Sequence, residues 1–207
     1  MIVRTLLTVG IVISAFVITG SPKAADEGPW QVRVRGLGVF PDASATVDAI
    51  PGATVDIDAT VTPEIDITYY ITENVALELV AATAQVGVDL KSPDLSLGHV
   101  WLLPPSLTVQ YHFAPREVIR PYLGVGANYV VFYNADQPAG PLTKVEYDNA
   151  VGFVLQAGVD IPLAEHWSAN IDVKKIWLST DATVNGTIKA DVDIDPVLVG
   201  VGIGYRF

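Results

Sequence analysis

From Gly28 onward, apolar and polar residues alternate in eight successive runs, at 30–40, 62–71, 75–86, 105–113, 119–133, 149–161, 167–177 and 196–207. A period of two is that of β-strands with unlike faces. In the first run Trp30, Val32 and Val34 oppose Gln31, Arg33 and Arg35. In the second, Ile65, Ile67 and Tyr69 oppose Glu64, Asp66, Thr68 and Tyr70. The last sets Val199, Val201, Ile203, Tyr205 and Phe207 against Gly200, Gly202, Gly204 and Arg206. Each run is near the length a tilted strand needs to cross a hydrocarbon core, about 9–11 residues.

The connections alternate as well. Those at 71–74, 114–118 and 162–166 are tight, whereas 41–61, 87–104, 134–148 and 178–195 are long. A soluble sandwich shows the same strand period, but not this strict exchange of short and long links. Trp30, Tyr69, Tyr111, Phe113, Trp167, Tyr205 and Phe207 all fall at the short-turn ends on the apolar face, as an interfacial girdle does. The pattern predicts an all-β fold: an eight-stranded antiparallel transmembrane β-barrel with short periplasmic turns and longer extracellular loops.

Composition sharpens this. Half of the 207 residues are hydrophobic, yet the one continuous apolar stretch, 6–18, is too short for a spanning helix, which takes about 20 residues. Preceded by Arg4 and followed by Gly20, Ser21, Pro22, Ala24 and Ala25, it reads as the core of a signal peptide. The expectation is a leader over 1–25, cleaved near Ala25, and a mature barrel over 26–207 in the bacterial outer membrane. The absence of cysteine excludes disulfides and thiolate metal sites. A formal charge of -11 argues against nucleic acid, and the surroundings expected of such a barrel are outer-membrane lipids and lipopolysaccharide.

Sorting the inward positions gives a candidate interior. Arg33, Arg35, Glu64, Asp66, Glu78 and Arg206 all point into a bore that eight strands make only wide enough for side chains or one small ligand. Charges of both signs in so narrow a space must be paired, which predicts a salt-bridged plug in the periplasmic half. Gly124, Gly126, Gly152, Gly158, Gly200, Gly202 and Gly204 line the other wall. They mark either a groove or side exit, or room for bulky neighbours and barrel curvature.

Catalysis finds little support. Of His99, His112 and His166, only His112 faces inward, and Ser106 lies six residues, roughly 20 Å, along the same strand. No enzyme, cofactor or metal is expected. Asp191, Asp193 and Asp195 alternate along one edge without the glycine turn of a calcium loop, so a solvated acidic edge is expected there.

Several segments together resemble the OmpW family of outer-membrane β-barrel proteins, OmpW/AlkL-like chains. The matching stretches are NVALELVAAT (74–83), LLPPSLTVQYHF (102–113), RPYLGVGANY (120–129), AGVD (157–160), Asp195–Pro196 and the closing GYRF (204–207), in the family's order along the mature chain. The resemblance implies a narrow, largely apolar lumen that passively admits small hydrophobic molecules and releases them sideways into the membrane. It places an apolar constriction on Val80 and Lys174; Lys174 departs from the apolar type and needs to snorkel or to pair with Asp172 or Asp160. Trp101, Leu102 and Leu103 are the other candidates for ligand contact, as a lid on the second long loop. Tyr205 and Phe207 resemble the C-terminal signal read by the barrel-assembly machinery. The rival reading is a non-transporting adhesive or receptor barrel acting through its extracellular loops.

Overall fold

The computed structural model describes residues 28–47, 55–91, 94–134, 145–186 and 188–207, and all regular structure among them is β. The expected leader over 1–25 lies outside them. In chain order the strands are β1 (Trp30–Phe40), β2 (Ser44–Val47), β3 (Val55–Ile57), β4 (Thr60–Tyr70), β5 (Val75–Ala82), β6 (Ala84–Lys91), β7 (Asp94–Leu103) and β8 (Ser106–His112). There follow β9 (Arg120–Tyr133), β10 (Val145–Tyr147), β11 (Ala150–Ala164), β12 (Trp167–Trp177), β13 (Ser179–Val184), β14 (Ile188–Asp193) and β15 (Val197–Arg206).

Eight of them close a ring in the order β1-β4-β5-β8-β9-β11-β12-β15, every neighbour antiparallel. The last strand returns to the first in unbroken register, from Gln31↔Arg206 to Phe40↔Val197. Closure matters because an unpaired strand edge in lipid would leave amides with nothing to bond. The alternation seen in the sequence then sorts the side chains. Ile67, Leu123 and Ile203 stand about half exposed on the outside, whereas Arg33 and Glu78 are fully buried within. Such a molecule is inside-out for water and right for a bilayer.

Aromatic side chains ring both ends of the wall. Trp30 packs on Tyr69 and Trp167 on Tyr205 at the short-turn end; Phe153 packs on Trp177 at the other. The two ends of the 11-residue β1 lie roughly 25 Å apart along the membrane normal once strand tilt is counted. Among the described residues no helix is long and apolar enough to cross a membrane.

The turns at 71–74 and 113–119 are joined by an exposed ion pair, Arg116 Nη2 to Glu73 Oε1 at 2.6 Å. The hydrogen bond and charge of Arg116 hold the Glu73 carboxyl below its ordinary range. A lowered acid pKa adds stability above the unfolded pKa and loses it as pH falls through the folded one. Because both groups are exposed, Arg116→Ala is expected to leave the unfolding midpoint unchanged while the Glu73 titration, followed by NMR, moves up to the ordinary carboxylate range.

The long connections depart from expectation. Where the sequence predicts loops, β3, β6 and β7 prolong the wall above β9, and β10, β13, β14 and β2 form a separate four-stranded sheet. Alternation continues into these segments, with Val86, Val88 and Val100 inside one sheet and Ala182, Ala190 and Val192 inside the other. It is shorter there and broken by glycine and aspartate, which weakens its signature. Asn185 and Gly186 supply the left-handed backbone, at φ 51° and 70°, for the β13–β14 turn.

Candidate functional site: a layered bore with a break in its wall

Most barrel strands change character part-way up, while β4 and β8 stay polar inside as far as Thr62 and Ser106. Inward residues are polar toward the short-turn end and apolar beyond it: Arg35 gives way to Leu37, Glu78 to Val80, Asn128 to Val130, Gln156 to Val154 and Lys174 to Ile176. The bore is therefore stacked in layers.

The middle layer is ionic. Arg33 reaches Asp66 and Glu78 at 3.1 Å each and Asp160 at 2.8 Å, and donates to Thr68 at 2.8 Å. Arg35 meets Glu64 and Asp66 at 2.6 Å each and donates to Asn170 at 2.9 Å. Lys174 meets Asp172 at 2.9 Å and Glu64 at 3.4 Å. Gln156 donates to Glu78 and Asp172, and Tyr122 to Asp172 at 2.7 Å, so the carboxylates are held by neutral donors too. Glycines make the room: a Cβ on Gly200 would meet Arg35 Cδ at 3.1 Å, one on Gly204 Arg33 Cγ at 3.0 Å, and one on Gly158 the Tyr122 ring at 2.4 Å. The glycine wall is filled by side chains of the neighbouring strands, and its ladders are continuous. It forms no groove.

Below lies an aromatic stack. The Arg206 guanidinium sits 3.7 Å over the Tyr70 ring, Tyr70 and His112 are 5.0 Å apart, and His112 and Tyr122 again 5.0 Å. Beneath it a cavity of about 20 Å³, bounded by Gln31, His112, His166 and Arg206, has room for about one water.

Above lies an apolar layer. Leu37, Val130, Val154, Ile176 and Leu198 pack together, and Leu102, Phe132 and Ile194 join them to the extracellular sheets. There Phe132 and Tyr147 stack at 5.5 Å, and burial pushes the Tyr147 phenol up to about 12.

At the foot of the apolar layer the wall is broken. The β5–β8 ladder ends at Val80↔Ser106 and resumes in the same register as β6–β7 at Ala84↔Leu102. Between them, residues 81–83 and 103–105 face one another without ladder pairing. Pro104 and Pro105 have no N–H to give. From inside, Asn128 Nδ2 donates to the Pro104 and Pro105 carbonyls at 3.0 and 3.2 Å. The Asn128 Oδ1 atom is buried without a hydrogen-bond partner.

Of the positions singled out in the sequence, Arg33, Arg35, Glu64, Asp66 and Glu78 come together. Arg206 does not; it lies at the periplasmic mouth, where its Nε also donates to the Gly28 carbonyl at 2.8 Å. Lys174 joins the ionic layer, so only Val80 of the constriction pair is apolar and buried below the break. Trp101 and Leu103 belong to β7 rather than to a free loop and face outward, while Leu102 faces in. Of the two partners the sequence offers Lys174, Asp172 takes it while Asp160 binds Arg33, and Gln156 joins the ionic layer with no local motif to mark it. Asn128 is likewise unsignalled except as a polar residue in a run of small ones.

His112 is hydrogen-bonded to Gln110 at 3.2 Å, and Ser106 lies at the far end of β8. Among the described residues no three acids or histidines are grouped to hold a metal. Asp193 instead accepts from Ser179 Oγ at 2.5 Å, and Asp195 from the Leu178 amide at 2.8 Å.

The model of the OmpW family matches residues 26–207, the whole of the barrel. The chain belongs to the OmpW family. This OmpW-family barrel is 43% identical over 189 residues to an uncharacterized outer-membrane protein of Sinorhizobium fredii, y4mB, covering 89% of this chain and 82% of that one. It is 32% identical over 200 residues to the dibenzothiophene metabolism operon protein PahQ of Pseudomonas aeruginosa, covering 90% and 92%. The crystal structure of the outer membrane protein OprG from Pseudomonas aeruginosa superposes with a TM-score of 0.80 at 27% identity, over 87% of this chain and 97% of that one. The OmpW-family chain is thus a bacterial outer-membrane protein.

Proposed function

We propose that this barrel passively admits small hydrophobic molecules through its apolar upper bore and releases them sideways into the membrane. The observation that carries the reading is the height of the wall break, which coincides with the change from apolar to ionic lining. A hydrophobic solute descending past Leu102 and Val80 meets Arg35, Lys174 and their carboxylates. Separating those pairs to let it through would strand buried charges at several kcal/mol each. Beside it, at 81–83 and 103–105, no backbone bonds bar the way to lipid. The ionic layer acts as floor and the break as exit. PahQ, a relative whose name ties it to dibenzothiophene metabolism, adds support for a hydrophobic cargo. In this reading 1–25 is a cleaved leader, and Tyr205 and Phe207 present the terminal strand to the assembly machinery.

The test is uptake. Cells lacking the protein are expected to take up n-octane at limiting concentration more slowly than complemented cells, and Leu102→Asp is expected to fail to complement, with a loss of at least about tenfold, because it sets a charge in the apolar path. Equal uptake with and without the protein would remove transport and favour the adhesive or receptor reading.

A further inference from the structure

One hydrogen bond crosses the broken wall. The Thr83 hydroxyl and the Tyr133 phenol lie 2.6 Å apart, and either can donate. Both residues face outward. Thr83 follows β5 on one rim of the break. Tyr133 ends β9 beyond the other rim, where Leu103 pairs with Val131 and Trp101 with Tyr133. The phenol therefore reaches back over β7 to the opposite rim.

Its position is fixed at both ends. The Tyr133 ring stacks on Trp101 at 6.3 Å. The Thr83 carbonyl accepts from Thr62 Oγ1 at 2.5 Å, which ties Thr83 to β4. Asn128 holds the two proline carbonyls from within, and the Tyr133–Thr83 pair bridges the rims from without.

We propose that the Thr83–Tyr133 hydrogen bond is the latch of the lateral exit, an inference that rests on the sideways route argued above. The two rims share no ladder bond over residues 81–83 and 103–105, so between the flanking pairs Val80↔Ser106 and Ala84↔Leu102 this bond and van der Waals contact hold them together. A single hydrogen bond at the interfacial girdle, where water competes, has a small net value and breaks readily. That makes the seal reversible rather than permanent. A hydrophobic solute offers no donor or acceptor in exchange, so the latch opens by thermal fluctuation and its stability limits the rate of release.

The experiment uses the full-length barrel in cells, with phenylnaphthylamine, which fluoresces once dissolved in membrane, as the probe. Tyr133→Phe and Thr83→Val each remove one latch hydroxyl and keep the packing. Each is expected to raise the rate of probe entry about fivefold, the effect of losing one net hydrogen bond. Tyr111→Phe, at the opposite girdle, is expected to match wild type. A second variant, Ala82→Cys with Pro104→Cys, places a disulfide across the break in a chain with no other cysteine; oxidation is expected to stop entry and reduction to restore it. Heat-dependent gel migration verifies that each barrel is folded. If the disulfide stops entry but both latch variants equal wild type, the latch is overturned and the sideways route stands. If the oxidised barrel still admits probe at the wild-type rate, the sideways route falls and the latch with it.

Discussion

Replacing Arg33 with methionine is expected to destabilise the barrel by about 3–5 kcal/mol, the cost of removing one partner from a buried ion network. Methionine fills most of the volume, so the loss reads charge rather than packing. Arg33 is the shared partner of Asp66, Glu78 and Asp160, and all three are buried. Without it, Glu78 and Asp160 lose their nearest cation and Asp66 keeps only Arg35, in a bore that eight strands close to water. The urea midpoint of the barrel refolded in lipid vesicles measures the effect. Adding Glu78→Gln and Asp160→Asn to Arg33→Met should recover a large part of it, because each removes a charge the missing guanidinium had balanced. An unchanged midpoint for Arg33→Met alone would mean that water or small ions reach the layer freely, and the floor would then be no barrier.

The second large effect is expected at Gly202. An added Cβ would lie 2.0 Å from the Val34 carbonyl oxygen and 2.7 Å from the Arg35 Cα. Both are backbone atoms of β1, so no rotamer change relieves the overlap. The clash falls on the β1–β15 seam, the pairing that closes the ring. Gly202→Ala is expected to cost about 3 kcal/mol, at the upper end of overpacking, and to lower the folded fraction on heat-modifiability gels. Gly36 pairs with Val201 in the same seam but faces the lipid, where a Cβ would meet only the Val201 oxygen at 4.0 Å. Gly36→Ala is expected to fold like wild type. If both alanine variants fold equally well, the seam is looser than its register implies.

These sites show what a sequence can and cannot carry. A period of two tells which face a side chain occupies, and on that ground the eight barrel strands were legible to within a few residues. Height along the bore is another matter. It depends on the stagger between neighbouring strands, which no single strand contains. Arg206 and Arg33 both point inward, yet stagger sets one at the mouth and the other in the ionic layer. Lys174, placed by resemblance at an apolar constriction, is at the level of Glu64 and Asp172 instead. Glycines announce a missing side chain but not what fills the space, so the Gly200–Gly204 stripe could equally have been a groove. It is the bed on which Arg33 and Arg35 lie. The wall break was hidden for a related reason: Pro104 and Pro105 were visible, but only the shared register of β5–β8 and β6–β7 shows that they interrupt one continuous hairpin.

The ionic layer has a consequence for biogenesis. Arg33 and Asp160 are 127 positions apart, and Arg35 and Asn170 are 135 apart. No single hairpin brings these partners together, and contacts of such long sequence separation form late. The β1–β4 hairpin already pairs Arg33 with Asp66 and Arg35 with Glu64, but until the opposite ends of the chain meet Asp160 would enter hydrocarbon without its Arg33 partner. Closure thus completes the charge balance of the layer, which favours insertion and ring closure as one cooperative event over stepwise insertion of a partial sheet.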